Sequence, residues 1–177
     1  MEKKLGTIAS IRTTSFSADL DEVILKNGNI GKRIRINHPE ASAIIPFVTE
    51  TDILLVRQFR YALGRETLEI PAGKVNHGER PDECARRELL EETGHRAGRL
   101  DFVYTYAPAL AYSDELIHIY TARDLVKERD GIDEREIIAL ERISLYNLES
   151  LIRKGLVQDS KTLLALLMMN FFGKGSP

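Results

Sequence analysis

The chain has 177 residues, 43% of them hydrophobic and 29% charged, with a formal net charge of −2. That is enough apolar material for one domain with a sizeable core, and the near-balanced charge, without a long lysine or arginine block, offers no field for gathering nucleic acid. The longest apolar run, Leu163 to Met169, is too short to cross a bilayer, and the N-terminus lacks the apolar core of a signal peptide, so a cytoplasmic protein with neither a membrane nor a nucleic-acid partner is expected.

Five short β-rich segments are predicted in the first third of the chain: Leu5 to Arg12, Phe16 to Lys26, Arg33 to Asn37, Ala43 to Phe47 and Ile53 to Arg57. Asn27-Gly28 is a hairpin signal because both residues accept positive φ, which makes antiparallel pairing the expectation. Glu66 to Ile70 adds a strand that stops at Pro71, and Ala72-Gly73 opens a loop whose backbone can approach a ligand closely. A helix is expected from Pro81, a favoured residue in a first turn, to Gly94, a favoured residue at a helix end. Strands follow at Phe102 to Tyr106, Leu116 to Thr121 and Ile137 to Leu140, with an acidic loop, Lys127 to Glu136, before the last. Two helices close the chain. One covers Leu145 to Lys154 and ends at Gly155; the other, Ser160 to Phe172, has Asp159 or Ser160 as N-cap and an apolar stripe of Leu163, Leu164, Leu167 and Met168. This order suggests an α/β fold, a mixed sheet sandwiched by helices, behind an antiparallel N-terminal segment.

The informative stretch is Gly73 to His95, GKVNHGERPDECARRELLEETGH. On a helix, Glu88 and Glu92 lie one turn apart on one face with Glu91 beside them. Carboxylates gathered that closely repel, and the arrangement makes physical sense when a hard divalent cation sits among them. Oxygen-only ligation selects Mg2+ or Mn2+ over Zn2+. Such a cluster can neutralise adjacent phosphates and activate water, which is the chemistry of phosphoanhydride hydrolysis. Arg87, set among the glutamates, can fix their geometry through charge-assisted hydrogen bonds. Cys84, the single cysteine, reads as a packed helix residue, and it excludes an internal disulfide.

Gly73, Glu79, Arg87-Glu88, Leu89, Glu91-Glu92 and Gly94 stand at the spacing of the Nudix hydrolase signature, which the segment resembles. His95 departs from it, standing where an aliphatic residue is usual. The flanking stretches Val56-Arg57-Gln58-Phe59-Arg60-Tyr61, Leu68-Glu69-Ile70-Pro71-Ala72-Gly73 and Ser113-Asp114-Glu115 are similar to the ADP-ribose pyrophosphatase branch of that family. The resemblance covers most of the chain after about residue 40. It implies a Nudix α/β/α sandwich (residues 41–177) behind an N-terminal β segment (residues 1–40) that serves dimerisation. It further implies Mg2+-dependent hydrolysis of ADP-ribose or a related nucleoside diphosphate sugar to a nucleoside monophosphate and a sugar phosphate.

By the same resemblance, Glu88 and Glu92 are the principal metal ligands, the Ala72 carbonyl completes the shell and Glu91 supports it. Arg60, Glu69, Lys74 and Glu115 belong to the substrate pocket: Arg60 toward the phosphates or terminal ribose, Glu115 near the terminal sugar. In the acidic loop Glu134 is the expected general base and Glu136 an additional metal ligand, with Asp133 the alternative base if the register shifts by one. The branch commonly carries Pro-Gly just before the aromatic that precedes Ser-Asp-Glu, whereas here Leu110-Ala111-Tyr112 occupies that place. A broad or GDP-sugar-preferring pyrophosphatase therefore stands beside strict ADP-ribose hydrolysis. A non-catalytic nucleotide-sugar sensor is disfavoured, since such proteins tend to lose signature glutamates, and all are present.

Overall fold

In a computed structural model of the protein, residues 1–129 and 137–172 are described, with side chains through residue 169. Glu134, Glu136 and Asp133 lie outside the described residues. An N-terminal sheet has the order β1 (Lys3–Arg12), β2 (Ser17–Ile24), β3 (Ile30–Asn37), all antiparallel, and Gly28 makes the β2–β3 turn at φ 86°. One face of this sheet is charged: Asp19 and Asp21 are buried beneath Lys4 and Arg35, which salt-bridge to them. The register places Ile11, Ile30 and Ile34 on the opposite face, where all three are at least 60% exposed.

Behind it lie two further sheets. The mixed sheet has the order β7 (Ala72–Lys74), β4 (Ala41–Pro46), β9 (Ile117–Lys127), β8 (His95–Tyr106); β4 and β9 are parallel and the other pairs antiparallel. The third sheet has the order β10 (Ile137–Ser144), β5 (Asp52–Arg60), β6 (Arg65–Glu69). Strand β4 is buried along its whole length because it is covered on both faces. Ile44 packs with Ala85 and Leu89 of α1 (Pro81–Thr93) and with Tyr120 and Ala122 of β9. Ala41, Ala43 and Ile45 point the other way, into a core shared with Ile53, Leu55, Leu68 and Ile119 and with Ala165 and Leu166 of α3 (Ser160–Phe172). The result is the expected α/β/α layering, with a short helix α2 (Leu148–Arg153) preceding α3.

Three local expectations need correction. The strand after α1 begins at His95, seven residues earlier than its hydrophobic run at Phe102, because β8 is an exposed edge strand held by pairing with β9 more than by burial. Ala72-Gly73 belongs to the short strand β7 and not to a free loop. On α3 the buried apolar side chains are Ala165 and Leu166, while Leu167 is 57% exposed. That helix is apolar nearly all round, and a run of leucines and methionines carries no phase from which to choose its inner face.

Candidate active site

Helix α1 is built to hold glutamates in register. Pro81 fits the first turn, the Glu83 carboxylate accepts from the Arg80 backbone N–H at 3.0 Å, and Gly94 closes the helix at φ 71° with its N–H bonded to the Leu90 carbonyl at 2.9 Å. The Ser42 hydroxyl of β4 donates to the Pro81 carbonyl at 2.7 Å, tying the helix start to the central sheet. The side of α1 nearest β7 carries Glu88 and Glu92. Glu92 is 8% exposed and accepts the Ala72 N–H at 3.0 Å. The Glu88 carboxyl lies against Gly73 so closely that a Cβ there would stand 2.0 Å from Oε1. Burial, opposed by Arg87, raises the pKa of Glu88.

Arg87 organises the surroundings. Its Nε and Nη2 take both oxygens of Glu79 at 2.8 and 2.9 Å, Nη1 donates to Glu88 at 2.5 Å and Glu91 at 3.1 Å, and Nη2 also reaches the Lys74 carbonyl at 3.0 Å. One guanidinium thus ties the turn after β7 to three carboxylates. Glu79 also accepts the Asn76 N–H at 2.8 Å, and with the Arg87 hydrogen bonds as the main cause its pKa falls to about 2. Cys84 is buried beneath this turn; desolvation, with Glu88 adding to it, pushes its thiol up to about 11, which suits packing and not reactivity.

A second charged group stands across from the helix. Arg60, at the end of β5, forms a two-pronged pair with Glu69 of β6, at 2.7 Å from Nε and 2.5 Å from Nη2. Glu69 is 1% exposed, and its oxygens also receive the Thr67 hydroxyl at 2.7 Å and the Lys161 ammonium. Desolvation is the largest influence on Glu69 and acts to raise its pKa, yet the hydrogen bonds and charges of Arg60 and Lys161 outweigh it and hold the carboxyl at about 2. Arg60, whose side chain is 43% exposed, lies within electrostatic reach of Glu92. The Lys74 side chain is exposed and has no hydrogen-bond or ion-pair partner among the described residues.

Glu115 sits farther along, 3.3 Å from His38 Nδ1, with Asp114 accepting the His38 N–H at 2.8 Å and Phe16 stacked on the His38 ring. A recess of about 410 Å³ opens there, lined by Arg12, Phe16, Asn37, His38 and Asp114 among others; none of the α1 glutamates lines it. The structure thus brings Ala72, Glu88, Glu91, Glu92, Arg87, Arg60 and Glu69 into one neighbourhood and sets Glu115 at the junction with the N-terminal sheet. Just past β9, the Arg129 guanidinium donates to the Glu91 carbonyl at 3.0 Å and the Glu128 N–H to the Gly94 carbonyl at 2.9 Å, anchoring the end of that strand at the C-terminus of α1.

Among the described residues no three His, Cys, Asp or Glu side chains stand gathered as a cage, since Glu88 faces Arg87 and Glu92 the Ala72 amide. The donor set still fits a hard divalent cation: carboxylates one helical turn apart, a glycine that leaves room for one of them, and backbone carbonyls alongside. Sequence reasoning missed Lys161 and Thr67 as partners of Glu69. Lys161 was detectable in principle, as a cation in the first turn of a helix, where the dipole disfavours it unless an anion holds it there.

A family model of the NUDIX domain matches residues 37–167. The chain is 38% identical to the methanol dehydrogenase activator of Bacillus methanolicus over 93% of its own length and 90% of that protein's. It is 36% identical to the ADP-ribose pyrophosphatase of Bacillus subtilis (strain 168) over 83% of its length and 80% of that protein's. A crystal structure of an ADP compounds hydrolase superposes with a TM-score of 0.85 at 26% identity, covering 98% of this chain and 95% of that one. With the signature residues Arg87, Glu88, Glu91 and Glu92 on one helix and the matched region spanning both flanking sheets, the chain belongs to the Nudix family of hydrolases, in the branch that its ADP-ribose pyrophosphatase relative represents.

Proposed function

We propose that the protein hydrolyses the phosphoanhydride of ADP-ribose or a related nucleoside diphosphate sugar in the presence of Mg2+ or Mn2+. The observation that carries this reading is the Glu88/Glu92 side of α1, set against Gly73 and Ala72 of β7 and braced by Arg87, with the Arg60–Glu69 fork on the strands that lead into Ala72. Glu88, Glu92, the Ala72 carbonyl and Glu136 would hold the metal, which supplies charge neutralisation on the phosphates and an activated water. Arg87 keeps Glu88 and Glu91 in place, and Glu91 supports the ligands from the next position on the helix. Arg60 and Lys74 engage the phosphates, Glu69 fixes Arg60 from behind, and Glu115 meets the terminal sugar. The general base is Glu134, with Asp133 the alternative. Water adds to one phosphorus as the bridging P–O bond breaks, the bridge oxygen leaves on the other phosphate, and one proton passes to the base. The products are a nucleoside monophosphate and a sugar phosphate. ADP-ribose and GDP-sugars remain alternatives because Leu110-Ala111 replaces the Pro-Gly usual before the aromatic of the branch. Comparing kcat/KM over a panel of nucleoside diphosphate sugars decides between them, and inertness toward the whole panel, with binding retained, would favour a sensor.

The protein also acts as a homodimer in this reading, with a second copy covering the apolar face of the N-terminal sheet that carries Ile11, Ile30 and Ile34. The likeness to a methanol dehydrogenase activator over 93% of the chain favours a second reading, in which hydrolysis serves to activate a dehydrogenase. Adding the protein with Mg2+ to a methanol dehydrogenase should then raise its rate, and the Glu92→Gln variant should not.

A further inference from the structure

We propose that Lys161 is a positioning residue, which holds Glu69 and through it the guanidinium of Arg60. The proposal rests on the function proposed above only in that Arg60 is taken to meet the phosphates of the substrate. A carboxylate as buried as Glu69 stays ionised only if its oxygens are fully engaged by donors. Arg60 supplies two hydrogen bonds from its fork and Thr67 one, all from neighbouring strands β5 and β6. The remaining donor comes from a distant part of the chain: the Lys161 ammonium, 9% exposed in the first turn of α3, contacts Glu69 and is itself balanced by Asp159 Oδ1 at 2.9 Å. Asp159 Oδ1 also caps the helix by accepting the Thr162 N–H at 3.0 Å, so the cation is fixed by the same residue that starts α3. Next to it, the buried Thr162 hydroxyl accepts the Ile70 N–H at 3.0 Å, which ties the same turn to the chain just before Ala72.

The charges then alternate along one line: Asp159, Lys161, Glu69, Arg60. If Lys161 loses its charge, Glu69 keeps a single cationic partner while its burial is unchanged, and the balance moves toward the protonated acid. A neutral carboxyl cannot hold the guanidinium fork with the same strength. Arg60, which feels the charges of both Asp159 and Glu92, is then no longer fixed on Glu69. Lys161 therefore acts on the substrate without touching it.

The experiment compares the wild-type protein with Lys161→Met and Lys161→Arg by the 1H–15N signal of the Arg60 Nε–H, assigned with Arg60→Lys, and by kinetics on ADP-ribose with Mg2+. The wild-type signal should be shifted and slow to exchange at neutral pH. In Lys161→Met it should broaden or exchange, and KM should rise ~10-fold or more while kcat changes less than ~3-fold, the pattern of lost binding and not lost chemistry. Lys161→Arg, which keeps the cation, should restore most of both. An unchanged Arg60 signal and KM in a folded Lys161→Met protein would overturn the proposal, as would a freely exchanging Arg60 Nε–H in the wild type. If Lys161→Met does not fold, Asp159→Asn/Lys161→Met, which removes one anion with one cation, carries the same comparison. A wild-type protein inert on ADP-ribose would count against the proposed function alone, because the Arg60 signal needs no turnover.

Discussion

At Gly73 the chain passes so near Glu88 that an added Cβ would stand 2.0 Å from Oε1. What it would strike is the tip of a flexible side chain, so Gly73→Ala should displace the carboxylate while sparing the fold. The expected outcome is a loss of kcat/KM on the order of tenfold or more with little change in thermal stability, read by kinetics and a melting curve. Glu92→Gln removes the charge and keeps the shape, and kcat should fall by on the order of a hundredfold or more, as when several kcal/mol of electrostatic stabilisation are lost. In the acidic stretch, Glu134→Gln should lower kcat far more than KM; if Asp133→Asn does so instead, the base is Asp133. Glu69 sets an acid limit. Its folded pKa of about 2 lies below the unfolded value of 4.5, so the stability it contributes is fully present above that value and is lost as pH falls toward 2. Urea unfolding midpoints should therefore drop between those pH values, and Glu69→Gln should flatten that drop. The placement of Glu88 and Glu92 on one face of α1 is legible in the sequence, because their spacing of four residues is one helical turn. Lys161 stands out only as a cation in a first helical turn; that its anion is Glu69, ninety-two residues away, is not legible in the sequence.

At the scale of elements, the strands were readable where apolar residues recur and a turn residue separates them, as with Gly28 between β2 and β3. They were unreadable where pairing alone holds them, as in the first half of β8, which is exposed and rich in arginine. Helix α1 had its limits marked at both ends by Pro81 and Gly94, whereas α3 showed its extent and hid its orientation. That orientation matters for the site, since the first turn of α3 backs the chain at Ile70 through Thr162, which is fully buried. Thr162→Val keeps the volume and leaves the Ile70 N–H without an acceptor. It should cost about 1–3 kcal/mol in urea unfolding, the usual penalty for an orphaned buried donor. A loss below ~0.5 kcal/mol would mean that the contact between α3 and the chain before β7 bears little weight.

For the whole molecule, two surfaces remain to be accounted for by assembly and by substrate. The N-terminal sheet carries its salt-bridged carboxylates on one face and exposed isoleucines on the other, an apolar surface that a second copy would cover. Light scattering should find a dimer, and Ile34→Asp should shift it to monomer; a wild-type monomer with full activity would refute the role of that face. Among the described residues no helix is long and apolar enough to cross a membrane, and the site described above lies between the mixed sheet, α1 and the end of β5. The most direct test of the account is to incubate the purified protein with ADP-ribose, with and without Mg2+, and to follow AMP and ribose phosphate as separate products. The account predicts stoichiometric release of both that needs the metal and is nearly abolished in Glu92→Gln. Absence of release from ADP-ribose and from every other nucleoside diphosphate sugar, or release that Glu92→Gln leaves intact, would contradict it.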